Sequence, residues 1–129
     1  LNAEALLSKA ETAAKSARLL LEAGDIDGAC NRAYYAMFDA ARGALLETEV
    51  AIAPEIARTH SGLLSAFSLH LVKTRRFPIS YGRALNRQHE VRLIADYSGD
   101  LVEAAMAAAA VADAEDFVVA IRRHFFDKG

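Results

Sequence analysis

The sequence predicts an all-α fold, a five-helix up-and-down type bundle, and three observations predict it. Small and apolar residues return at alternating spacings of three and four, most clearly at Leu6, Ala10, Ala13, Ala17 and Leu20, which keeps them on one helix face. Alanine makes up about a fifth of the 129 residues and loses no side-chain entropy in a helix. No stretch alternates apolar with polar residues between turn signals, so strands are not expected.

The first helix runs from Asn2, a suitable cap, to Ala23, and Gly24 ends it. Asp25 caps the second, about Ile26 to Glu47, whose inner face carries Cys30, Ala33, Met37, Ala40 and Ala44. So short a connection makes the two helices antiparallel and places the second at the centre of the core. The pattern lapses from Ala51 to Glu55, which reads as a loop. A third helix starts after a Thr59 or Ser61 cap and runs to about Val72, burying Leu63, Leu64, Phe67 and Leu71. Lys73 to Ile79 is a second irregular stretch. The fourth helix spans about Ser80 to Tyr97, and Ser98-Gly99-Asp100 supplies both a stop and the next cap. The last helix, about Leu101 to Phe126, should bury Met106, Ala110, Ala114, Phe117, Ile121 and Phe125.

The chain's length suits one helical domain over residues 1–129 with a core that needs no staple. Its lone cysteine, Cys30, can neither close an internal bridge nor build a cysteine-based metal site. No apolar run is long enough to span a membrane, so a cytoplasmic protein without membrane contact is expected. Neither a metal nor another cofactor is expected, because His60, His70 and His124 show no ligand spacing and no glycine-rich phosphate loop occurs. Charge is uneven along the chain. Six bases and one acid between Lys73 and Arg92 give +5, leaving nine bases against sixteen acids, −7, elsewhere. A basic segment in an acidic chain points to a local phosphate site, with Arg75, Arg76, Arg83 and Arg87 as the RNA-binding candidates.

The string Asn31-Arg32-Ala33-Tyr34-Tyr35-Ala36-Met37-Phe38 resembles the signature of the HEPN domain, a five-helix bundle. Thr59-His60-Ser61-Gly62, Phe77, Gly82-Arg83-Ala84-Leu85-Asn86, Arg92 and Ala95-Asp96-Tyr97 follow in that family's order and spacing. The likeness covers about residues 3 to 126. It implies a domain that usually forms a homodimer, is often paired with a small nucleotidyltransferase in toxin–antitoxin systems, and in active members is a metal-independent ribonuclease. Those members carry an Arg followed four to six residues later by His. Here Arg92 takes the arginine position, and Tyr97 stands where the histidine would be, a variant Arg-x4-Tyr motif.

Metal-independent RNA cleavage needs a base for the 2′-hydroxyl proton, an acid for the leaving oxygen and a cation for the phosphoryl oxygens. Arg92 fits the last role, and its alternative is an i,i+4 ion pair with Asp96. Tyr97 is a weaker proton donor because a phenol titrates near ~10. His89, three residues before Arg92, shares its helix face and offers an imidazole, with Asp96 continuing the stripe; its alternative is an exposed residue without function. Tyr34, Tyr35 and Phe38 read as packing or dimer-interface residues. The catalytic candidates are therefore Arg92, Tyr97, Asp96 and His89. Two readings stay open: a toxin-like ribonuclease or RNA-binding effector, and a non-catalytic nucleotide-binding module that docks on a nucleotidyltransferase. Tyr97 is also a hydroxyl that such a partner could nucleotidylate.

Overall fold

The computed structural model describes residues 2–98 and 102–127, the backbone alone at 97 and 98. Among the described residues every regular element is helical. Helix α1 (Ala3–Glu22) begins at Asn2, whose Oδ1 accepts from the Ala5 amide at 2.7 Å. It ends at Gly24, whose φ of 87° is a left-handed turn that only a residue without Cβ takes cheaply. Helix α2 (Ile26–Glu47) starts behind Asp25, which accepts from the Gly28 amide at 2.9 Å. The two run antiparallel. Near the end of α2, Gly43 lies against Ala3, Leu6 and Leu7 at the start of α1, so close that a Cβ would stand 3.2 Å from the Ala3 carbonyl.

The stretch expected to be a loop holds a one-turn helix, α3 (Pro54–Ala57), opened by a proline whose fixed φ suits a first helical position. Thr59, rather than Ser61, caps α4 (His60–Phe67), its Oγ1 accepting from the Gly62 amide at 2.9 Å. A π-helical turn, π1 (Ser68–Val72), carries that helix to its expected end. Helix α5 (Ile79–Leu93) continues as π2 (Ile94–Ser98), and α6 (Ala104–Ile121) as π3 (Arg122–Phe126). Gly99 and Asp100, the expected stop and cap, lie outside the described residues. Glu103 precedes α6 and makes no side-chain cap.

Helix α2 sits in the middle, touching α1, α4, α5 and α6. Contacts at matched heights, Arg18 with Glu115 and Arg122 with Glu4, set α1 antiparallel to α6. Tyr35 with Arg92, and Asn31 with Asp96, set α2 antiparallel to α5. Tyr34, Phe67, Phe77 and Phe117 fill the core. Met106, expected inside, is 36% exposed, because α6 turns Ala107, Ala110, Val111 and Ala114 inward instead. In so alanine-rich a helix, small residues line both sides and the period alone does not choose the inner one. Phe125 is only half-buried. Among the described residues no helix is long and apolar enough to cross a membrane.

Candidate functional site

Where α2, α4 and α5 converge, two histidines, an arginine and an aspartate come together around two tyrosines. Arg92 is 7% exposed. Its Nη2 donates to Tyr35 Oη at 3.1 Å, and its Nε lies 3.0 Å from Asp96 Oδ2. The guanidinium also rides over the Tyr34 and Tyr35 rings, 5.5 and 5.3 Å from their centroids. Asp96 is oriented in turn by Asn31, whose Nδ2 donates to Oδ2 at 3.0 Å. The carboxylate thus tethers π2 to α2.

His60 and His89 stack against each other with centroids 5.9 Å apart and planes 20° from parallel. Tyr34 touches both rings, and Tyr34 Oη stands 2.7 Å from His60 Nδ1. The Nδ1 of His89 is buried without a hydrogen-bond partner among the described residues. Burial first, and then the Arg92 charge, hold both imidazoles below their ordinary 6.5; each is therefore neutral at pH 7. Burial raises the Tyr34 phenol above its ordinary 10, so it stays protonated. It also pushes the nearby Cys30 thiol up to about 11, which removes thiolate chemistry. His60 owes its place to the Thr59 cap and to Gly62, where any Cβ would run into the Ile56 carbonyl oxygen.

His89 opens into a cavity of about 370 Å³ whose other walls include Ser61, Ser65, Lys73 and Asn86. Beyond Ser68, Lys73 and Asn86, which the two share, lies a larger cavity of about 700 Å³ bordered by Arg75, Arg76, Arg83 and His124. Phe77 anchors the turn that carries these cations. It is 2% exposed and packs on Phe67 and Phe117. Arg75, at the apex, takes a left-handed φ of 62°.

A family model for the HEPN domain matches residues 3–124. The chain belongs to the HEPN domain family. A UPF0332 protein of Gloeobacter violaceus is 35% identical over 94 residues, which is 73% of this chain and 71% of that one. A Methanocaldococcus jannaschii protein named "Putative toxin" is 30% identical over 93% of this chain and 86% of its own. A UPF0332 protein of Thermotoga maritima is 38% identical over 67% of this chain and 61% of its own.

Within the HEPN bundle the sequence-predicted residues fall into three groups. His89, Arg92 and Asp96 do share one stripe and meet at Tyr34 and Tyr35; the Arg92–Asp96 ion pair is present, and His89 is not the exposed residue that its alternative required. Tyr97 lies on π2, and its side chain falls outside what is described. Arg75, Arg76 and Arg83 border the larger cavity, whereas Arg87 borders neither and pairs with Asp113 at 2.9 Å. Sequence reasoning misses His60. It also reads Tyr34, Tyr35 and Phe38 as packing or dimer-interface residues, and they are the surface on which the histidines and Arg92 are assembled.

Proposed function

We propose that this toxin-like HEPN protein cleaves RNA without a metal ion at the His60, His89 and Arg92 cluster. The observation that carries the reading is a pair of stacked imidazoles beside a fixed guanidinium, one opening into a cavity that leads to cations without a carboxylate partner among the described residues. One neutral imidazole takes the 2′-hydroxyl proton, and the 2′-oxygen attacks phosphorus. The bond from phosphorus to the 5′-oxygen breaks, and the imidazole that took the 2′-hydroxyl proton, now an imidazolium, gives it to that oxygen. The products are a 2′,3′-cyclic phosphate and a 5′-hydroxyl. Arg92 supplies positive potential next to the reacting phosphate, and Asp96 and Tyr35 hold it in place. With two histidines present, Tyr97 need not transfer a proton. Its proposed part is regulatory: nucleotidylation by a partner nucleotidyltransferase antitoxin adds negative charge near Arg92 and blocks RNA.

The proposed assembly is a homodimer, as the family likeness implies. His60 and His89 belong to the same chain, so the second imidazole need not come from a partner copy. The burial of Arg92 favours a second reading, a non-catalytic module that docks on the nucleotidyltransferase. The two separate in one experiment. Purified protein is incubated with structured and unstructured RNA in excess chelator, alone and as the Arg92→Ala and His89→Ala variants. Cleavage that both substitutions remove supports the ribonuclease; RNA left intact by the unmodified protein while it captures its nucleotidyltransferase leaves only the docking module.

A further inference from the structure

The larger cavity is more than a continuation of the histidine site. Lys73, Arg75, Arg76 and Arg83 gather around one volume of about 700 Å³, inside the range of about 300–1,000 Å³ typical of small-ligand pockets. Among the described residues no carboxylate borders the cavity or pairs with any of the four. The first turn of α5 forms a wall, and that helix begins at Pro78 without a side-chain cap, so its leading amides add positive potential there. His124 closes another side. Its Nδ1 donates to the Ala120 carbonyl at 2.9 Å, which leaves Nε2 as the ring's remaining polar atom.

We propose that this cavity binds a terminal phosphate monoester, and that through it the protein recognises the phosphorylated end of an RNA. The inference rests on the RNA reading above and names the feature of the substrate that is recognised. A monoester carries about −1.5 to −2 charges at pH 7 and three terminal oxygens, whereas an internal diester carries one charge. Four cations and a helix start around a single volume match the former. A backbone track would spread its cations along a groove. The cavity also has an apolar side, made by Val72, Pro78 and Ile79, where the nucleoside that bears the phosphate can rest. Because Phe77 is locked in the core, the turn that carries Lys73, Arg75 and Arg76 keeps its place before any ligand arrives.

The test is fluorescence anisotropy with one short single-stranded oligonucleotide made uncleavable by 2′-deoxy residues, bearing a 5′-phosphate, a 3′-phosphate or no terminal phosphate. A phosphorylated end should bind about tenfold tighter than the bare one at physiological salt, a difference worth about 1.4 kcal/mol. Arg76→Gln with Arg83→Gln should abolish that preference, and Lys15→Gln on α1 should keep it. A nucleoside 5′-monophosphate competes in a second arm. If it displaces the labelled end at equal concentration, the pocket stands and its ligand is the free nucleotide. Equal affinity for all three ends, or a preference that survives the double substitution, overturns the proposal. Cleavage does not enter this readout. A protein that discriminates ends yet leaves natural RNA intact keeps the pocket and loses the ribonuclease, and a nuclease blind to ends does the reverse.

Discussion

Arg18 and Arg122 stand along the seam between α1 and α6, Arg75, Arg76 and Arg83 around the turn before α5, and the same guanidinium plays opposite parts in the two regions. Arg18 meets both carboxylate oxygens of Glu115, and Arg122 is held by Glu11 at 2.8 Å and Glu4 at 2.9 Å. The Glu11 carboxyl is consequently held below its ordinary range, chiefly by its hydrogen bond from Arg122. No carboxylate among the described residues answers the other three arginines. A guanidinium whose donors are taken fixes one helix against another. One whose donors are open is the kind of group that the proposed phosphate site calls for.

The largest expected effect comes from reversing the open set. Arg76→Glu with Arg83→Glu should weaken binding of single-stranded RNA on the order of 100-fold at low salt and flatten the dependence of log K on log salt by about 0.7 for each phosphate that is no longer neutralised. Its melting temperature should stay close to that of the unmodified chain, and a large fall would show that these residues hold the fold after all. Arg92 lies between the two sets, paired with Asp96 yet still opposing protonation of the imidazoles. Both histidines have folded values below 6.5, so as pH falls from 7 toward 5 the unfolded chain takes up protons first and stability drops. The slope is at most about 1.4 kcal/mol per pH unit for each histidine. Urea midpoints at the two pH values should show the drop, and His60→Gln with His89→Gln should flatten it.

Converting the open set into a closed one is a finer test. Asn86→Asp places a carboxylate at the cavity that Lys73 and Arg83 border, and should lower RNA affinity about fivefold by supplying the missing partner. The smallest effect belongs to the seam. Arg122→Gln should reduce unfolding free energy by about 1 kcal/mol in urea titration and leave RNA affinity unchanged. If RNA affinity falls instead, the division between the two regions fails.

Three helix starts are legible in the sequence because a cap is a local device: Asn2, Asp25 and Thr59 each bond an amide three residues ahead. The basic turn is legible for the same reason, since Arg75, Arg76 and Arg83 lie close in the chain. Arg87 is wrongly grouped with them because its partner, Asp113, is 26 residues away on another helix. His60 escapes for a similar reason. Its relation to His89 exists only once α4 is set against α5 and both rings meet Tyr34. The signal is present in the string from Thr59 to Gly62, whose cap and close-packed glycine leave His60 little choice of position. Alanine-rich α6 hides its own orientation, which is why its period alone puts Met106 inside.

Arg75 links heat resistance to ligand capture. A residue with a Cβ loses roughly 1–2 kcal/mol in the left-handed region at φ 62°, and glycine does not. Anyone engineering this protein for thermostability would choose Arg75→Gly early, and would thereby delete a cation from the cavity rim. The substitution should raise the melting temperature while loosening the grip on phosphate, so at this one position hardiness and affinity are exchanged for each other.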